Sequence, residues 1–600
     1  MLKRIELPRR ARQKPADCWD LSSLYVDDDA WEAAFEPWRA AKDGYQRFRG
    51  KLHDSAAVLA ECLRFDCDLE RRSERLGGYA SLKTAEDAGN SLYQRMLGRF
   101  RHAAAEASEA ASFVRPEILA IEPARMDELL ASPELAEFRL LLERMVRYRP
   151  HTLSPAEEKL LAMQAQMADA TRQTFRQLHD VDLKWPLLKN ERGELVELSN
   201  ASFSGFLQSP LRGVRKAAFH KYYQQFAAHR HTLCATLAGS VERDVYYARA
   251  RGYPSSLAAA LFPDRVPGSV YDNLIAAVGA HLPALFRYYE LRRRTMKLRQ
   301  IHHYDTYVPI LAERGKRHTW AQAVKLVVES LSPLGSEYCR VLERGLEGRW
   351  CDRYPNQGKQ SGAFSSGSYD GDPYILMNYR SDVFDHVFTL AHEAGHSMHS
   401  HLSAASQPFQ YYDYTIFVAE VASTFNEQLL SRHLLDRARS KAERAYLVNH
   451  EVDSIRATIF RQTMFAEFEK RTHELVEGGE PLTVDRVAGE YRQLLEKYFG
   501  PDFALDDELS LECLRIPHFY RAFYVYKYAT GLAAAMALSQ RVLGGGRPEL
   551  EDYLGFLRGG CSQYPLDLLR GAGVDLQRRE PIDAALARFD ELIEELDRLL

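Results

Sequence analysis

Cysteine is scarce and scattered. The eight residues at 18, 62, 67, 234, 339, 351, 513 and 561 form neither a Cys-x-x-Cys pair nor a dense framework, so a disulfide-stapled fold and a cysteine-based zinc site are excluded and reduced thiols expected. Long apolar runs are missing as well. The most apolar stretches, 273–286 and 528–540, are bounded by charges and fall short of the roughly 18 residues a bilayer crossing needs, so no membrane partner is expected. Net charge is small, with 79 Lys and Arg against 83 Asp and Glu, formally −4, which excludes nucleic-acid binding through a global field. Neither an internal repeat nor a low-complexity tract is found. The N-terminal segment is charged and has no apolar h-region, so cytoplasmic residence is expected. What is present is 600 residues, 46% hydrophobic and 27% charged, the balance of an ordinary globular protein with an ample core.

From residue 29 to about 178 the pattern is helical, with a 3.6 period punctuated by Pro116, Pro123, Pro133, Pro150 and Pro155. The rhythm breaks at 181–198, where two short extended runs flank Asn190-Glu191-Arg192-Gly193 and predict a β-hairpin. A second hairpin is predicted at 361–379, with its turn at Asp370-Gly371-Asp372-Pro373. Helices are predicted at 382–402, 414–438, 441–476, 484–499, 518–542 and 584–600, making the fold class mainly α with small β elements. Arg9, Arg10, Arg12 and Lys14 read as a solvated basic tail, and adjacent His302 and His303 as loop or helix-end residues rather than a second metal site.

One predicted helix carries His392-Glu393-Ala394-Gly395-His396. Imidazoles at i and i+4 share a helix face and can point at one ion, while the intervening Glu can handle an activated water. The motif alone is equally compatible with two histidines on an ordinary helix. A carboxylate on the next helix, Glu420 or its rival Glu427, can complete a His₂Glu set that leaves a fourth zinc position for water; Glu427 can instead hold a ligand imidazole. His399 lies near the same face and fits a contact to substrate or a support behind the ligands better than a fourth ligand, since a closed site could not activate water. Zinc follows from ligand type, one ion per chain, although cobalt or manganese could occupy the same set. Glu393 would then act as general base in amide hydrolysis. Downstream, 516–528 packs one His and four Tyr into a short span, a source of oxyanion donors or simply an aromatic core.

These motifs together resemble the oligoendopeptidase F group of the thimet oligopeptidase-like zinc metallopeptidases, family M3. The likeness rests on TLAHEAGHSMHS at 389–400, FVAEVASTFNE at 417–427 and IPHFYRAFYVYKYATG at 516–531, with weaker echoes at 18–25, 181–198, 249–261 and 362–379. The resemblance implies His392, His396 and Glu420 as zinc ligands, Glu393 as general base, and His518 as a contact to substrate or oxyanion. It also implies one tyrosine of 524, 526 and 528 as the oxyanion donor, with Tyr526 preferred, Tyr528 next and Tyr524 placed against substrate. The edge segment Tyr374–Tyr379, including Asn378 and Tyr379, resembles a strand that pairs with the peptide backbone. The implied fold is a two-lobed helical body with a deep channel, divided as an N-terminal helical region (1–110), a helical hairpin or lid region ending in a β-hairpin (111–198) and a catalytic domain (199–600). The implied substrates are short, unstructured oligopeptides cut internally. The alternatives are a zinc amidohydrolase for non-peptide amides and a non-catalytic peptide-binding protein, and both a monomer and a homodimer are compatible with the sequence.

Overall fold

Helices begin where the sequence supplies a cap. In the computed structural model, which describes residues 6–311 and 317–600, the side chains of Asp27, Ser55 and Asn90 accept from backbone N–H groups and open helices Asp28–Ala41, Ala56–Glu86 and Ser91–Ala111. The first helix buries Trp31, Phe35 and Trp38. Each indole satisfies its single donor on the second helix, Trp31 Nε1 at 3.0 Å from Leu76 O and Trp38 Nε1 at 3.1 Å from Leu69 O. Truncating either ring to Ala would remove about 3–5 kcal/mol of stability.

The chain groups into two compact units. One takes the described residues of Met1–Pro150, Gly315–His433 and Leu538–Val574, the other those of His151–Arg314, Leu434–Ala537 and Asp575–Leu600. The consecutive regions 1–110, 111–198 and 199–600 do not coincide with these units. Distant segments share one core: Tyr374 and Leu376 are buried in the same cluster as Trp31 and Trp38. No described helix is long and apolar enough to cross a membrane.

Both predicted hairpins are present in a mainly α chain. In the second unit, β1 (Leu187–Lys189) pairs antiparallel with β2 (Leu195–Glu197), and Asn190 Oδ1 accepts from the Arg192 and Glu194 amides across the turn. In the first unit, β4 (Phe364–Ser366) pairs antiparallel with β5 (Tyr374–Leu376), while a short β3 (Cys351–Asp352), absent from the sequence reading, pairs parallel on its other side. With the order β3-β5-β4, Tyr374–Leu376 is the central strand. The expectation of an edge at 374–379 is therefore corrected, and the open edge adjoining the motif helix belongs to β4.

The 441–476 helix contains a π-turn, running as Lys441–Ile455, Arg456–Phe460 and Arg461–Glu477. The single helix expected over 518–542 is broken. A 3₁₀ turn at Pro517–Tyr520 is followed by Phe523 at φ 53°, and a helix starts only at Tyr526. Phe523 is held there by burial of its ring and by its N–H bond to Glu469 Oε1 at 3.1 Å. The basic run is not wholly a solvated tail, since Arg10 pairs with Asp352 at 2.6 Å and Glu86 at 3.2 Å. His302 and His303 turn apart, His302 Nδ1 toward Asp506 at 2.9 Å and His303 into the core.

Candidate active site

The motif helix, Asp385–Ser406, and the next long helix, Ile416–Arg437, carry the site within the first unit. Their close approach depends on Gly395, where a Cβ would lie 2.6 Å from Ala422 O and Ser423 Cα. Asn426 Nδ2 donates across the same contact to Ala391 O at 3.2 Å. This approach brings Glu420 Oε2 to 3.4 Å from His392 Nε2 and 3.8 Å from His396 Nε2. His392, His396 and Glu420 are the one group among the described residues whose donor atoms converge, within 4.8 Å of one another, as metal ligation requires.

Glu427 takes the other side of His392, with Oε1 2.5 Å from Nδ1. A carboxylate there keeps the proton on Nδ1 and turns the Nε2 lone pair toward Glu420. A ring N–H of His396 similarly hydrogen-bonds the Ala419 backbone. Of the two carboxylates left open by spacing, Glu420 thus joins the cluster and Glu427 orients a histidine.

Charge in the site is unbalanced. Glu393, 7% exposed, is raised to about 7 by burial and by the charges of Glu420 and Glu427, against the pull of His392 and of an N–H bond from Ser365. Its Oε2 is buried without a hydrogen-bond partner among the described residues. Burial works against an imidazolium at His392, but the hydrogen bond and charge of Glu427, with the charges of Glu393 and Glu420, outweigh it and raise the ring to about 9. His396 is lowered to about 3 by burial and by His392. Three carboxylates around two imidazoles, with convergent N, N and O donors, fit a divalent cation of the zinc type.

Strand β4 lies against this helix. Ser365 Oγ and Ser397 Oγ are 2.8 Å apart, and Gly367 leaves room that a Cβ would lose to the Ser400 side chain. Gly395, Gly367, Ser365 and Asn426 were not singled out from sequence; the small residue inside the motif was the available signal. Three residues expected to touch substrate make contacts within the chain. Asn378 Nδ2 donates to Gln360 O and Gly362 O, the buried Tyr379 donates to His318 O at 2.8 Å, and His399, 1% exposed, stacks on Tyr414 with ring centroids 3.6 Å apart. Burial lowers His399 to about 3, so it packs as a neutral ring.

The downstream aromatic cluster lies in the second unit. His518 has the rings of Tyr524 and Tyr528 each at 6.1 Å, and Tyr528 donates to the Tyr524 hydroxyl at 3.2 Å. Tyr526, preferred from sequence, is 0% exposed and packs 5.2 Å from the Tyr271 ring. The preference rested on a resemblance whose alignment is ambiguous by one step, and the helix starts at Tyr526. Residues 524 and 528 therefore share a side and 526 faces the core.

The chain matches known proteins along most of its length. The model of Peptidase family M3 matches residues 206–588, and that of Oligopeptidase F residues 117–185. Oligopeptidase PepF of Bacillus subtilis is 41% identical over 100% of this chain and 89% of its own length. Group B oligopeptidase PepB of Streptococcus agalactiae is 37% identical over 97% of each chain. The crystal structure of oligoendopeptidase-F from Enterococcus faecium superposes with a TM-score of 0.75 at 33% identity, covering 95% of this chain and 99% of that one. With a family model spanning more than half its length and full-length relatives at this identity, the chain belongs to peptidase family M3, in its oligopeptidase F group.

Proposed function

We propose that this M3 peptidase is a zinc-dependent endopeptidase that hydrolyses internal bonds of short, unstructured oligopeptides, with Glu393 as general base. The convergence of His392 Nε2, His396 Nε2 and Glu420 Oε2 beside the buried carboxylate of Glu393 carries this reading. Zinc held by these three ligands would supply Lewis acidity at an open fourth position.

The chain's own residues account for the rest. The buried Glu393 carboxylate beside the ligands can accept a proton from the attacking water and return it to the leaving amine. Glu427 keeps His392 in its donor tautomer. The open edge of β4 offers main-chain groups to an extended peptide, a mode that fixes register while tolerating many side chains. His518 and the hydroxyl pair of Tyr524 and Tyr528 are the donors assigned to the oxyanion and the substrate, in place of Tyr526. Burial and the Arg521 charge lower His518, so it acts as a neutral donor.

The test measures metal content and cleavage of internally quenched peptides of graded length, with and without chelator, for wild type and Glu393→Gln. Near-stoichiometric zinc, internal cleavage that chelator abolishes and long or folded substrates resist, and loss of turnover by a factor of about 10²–10⁴ in the zinc-loaded variant are expected. Bound zinc without cleavage of any peptide would overturn the peptidase mechanism, and normal turnover by Glu393→Gln would remove Glu393 from it.

A further inference from the structure

Three partly buried arginines of the second unit, Arg456, Arg461 and Arg515, gather at one place. At the π-turn Arg456–Phe460 the i→i+5 bonding places Arg461 over Arg456 on one side of the helix. Both guanidiniums border a small cavity whose lining also includes Tyr289, His303, Met464 and Tyr498. Arg456 Nε donates to Asp453 at 3.1 Å. Arg461 Nη2 and Arg515 Nη2 both bind Glu512, which is completely buried. Arg456, Arg461 and Arg515, whose side chains are 13%, 15% and 22% exposed, thus share two carboxylate partners, Asp453 and Glu512, among the described residues, so this partly buried cluster carries one more positive than negative charge.

Two nitrogens lining this cavity lack a good partner among the described residues. Arg461 Nη1 meets the Met464 thioether, at 3.8 Å, and sulfur is a weak acceptor. His303 is 2% exposed and its Nδ1 has no hydrogen-bond partner among the described residues. The tyrosines do not supply the missing negative charge: burial raises Tyr289 to about 12, and Tyr498 is likewise pushed up by burial and by Glu467. His303 is held neutral, lowered to about 3 mainly by burial. The cavity measures about 20 Å³, which accommodates one water-sized or monatomic guest and is too small for phosphate or sulfate.

We propose that this cavity, between Arg456, Arg461, His303 and Met464, binds a single monatomic anion of halide size that completes the charge balance of this cluster. The anion accepts from Arg461 Nη1 and from His303 in its Nδ1–H tautomer, and offsets the surplus guanidinium charge. The cavity shares no residue with the metal-ligand set, which lies in the first unit.

The test uses the full-length protein. Crystals grown in sodium bromide are measured at the bromine absorption edge, and the expected result is an anomalous peak between Arg461 Nη1 and His303 Nδ1. A water in that place with no anomalous signal would overturn the proposal. In solution, chloride replaces gluconate at constant ionic strength, and Tm is expected to rise by roughly 1–3 °C and saturate. Met464→Glu places a carboxylate in the cavity and is expected to abolish this rise, whereas Met464→Leu keeps it. A chloride response that survives unchanged in Met464→Glu, or none in wild type, would refute the site.

Discussion

Replacing Gly395 by alanine adds one methyl group to the contact on which the convergence of Glu420 with the histidines depends. The new Cβ would lie 2.6 Å from Ala422 O and Ser423 Cα and 2.9 Å from Ala422 C, against ordinary contact beginning at 3.4 Å. The shortfall is 3.4 − 2.6, or about 0.8 Å, and it falls on backbone atoms that cannot rotate away. The helix Ile416–Arg437 must therefore move off by a comparable distance, carrying Glu420 with it. Metal–ligand distances tolerate only about ±0.2 Å, so the displacement is some four times what the site can absorb. Overpacking of this kind destabilises by about 1–3 kcal/mol, and the better helix propensity of alanine returns about 1 kcal/mol of that, so the variant folds. Zinc affinity is expected to fall at least 100-fold, beyond the range seen when only an orienting partner is removed. Competition against a chromogenic chelator measures the affinity, and a melt of the metal-free protein checks the fold. Zinc affinity within threefold of wild type in a folded Gly395→Ala protein would refute the packing argument.

Glu420→Ala should abolish tight zinc binding, whereas Glu427→Ala, which leaves all three donors and frees only His392, should weaken it by about 10–100-fold; the reverse ranking by metal analysis would exchange their roles. Tyr528→Phe should lower kcat by about 100-fold with little change in KM, while Tyr526→Phe, altering a ring buried against Tyr271, should leave kcat and KM near wild type. Steady-state kinetics that place the large loss at Tyr526 would restore the original preference. Glu512→Gln should destabilise by about 3 kcal/mol at pH 7, because two partly buried arginines lose a counter-charge that is itself fully buried. Burial alone would raise the Glu512 carboxyl, but the charges of Arg461 and Arg515 outweigh it and hold the group well below its ordinary 4.5. A carboxyl depressed in the folded state contributes stability that is complete above its unfolded value and lost as pH falls through that value toward the folded one. The gap between wild type and Glu512→Gln in urea unfolding should therefore narrow below about pH 4.5, and a gap that widens there would show that another group dominates.

What could be read from sequence was local. His392 and His396 are one turn apart on any helix, so their shared face followed from spacing alone, and the turn residues at 190–193 and 370–373 announced both hairpins before any tertiary contact was considered. Spacing along one helix could not decide between Glu420 and Glu427, because both sit on the same face two turns apart. Their roles separate only through the height at which two helices cross, and that is set by the missing Cβ of Gly395. The strand edge was misread for the same reason. Residues 374–379 have the composition of a strand, but whether a strand is central or at the edge depends on its partners, and Cys351–Asp352 is too short to announce itself. The tyrosines show the same limit. A single helix was expected over 518–542, but Phe523, pinned in the left-handed region by the carboxyl of Glu469 from a distant helix, delays its start to Tyr526, which is buried. In each case the deciding contact joins residues far apart in sequence, so the residue types that perform the chemistry were recognisable while the ones that aim them were not.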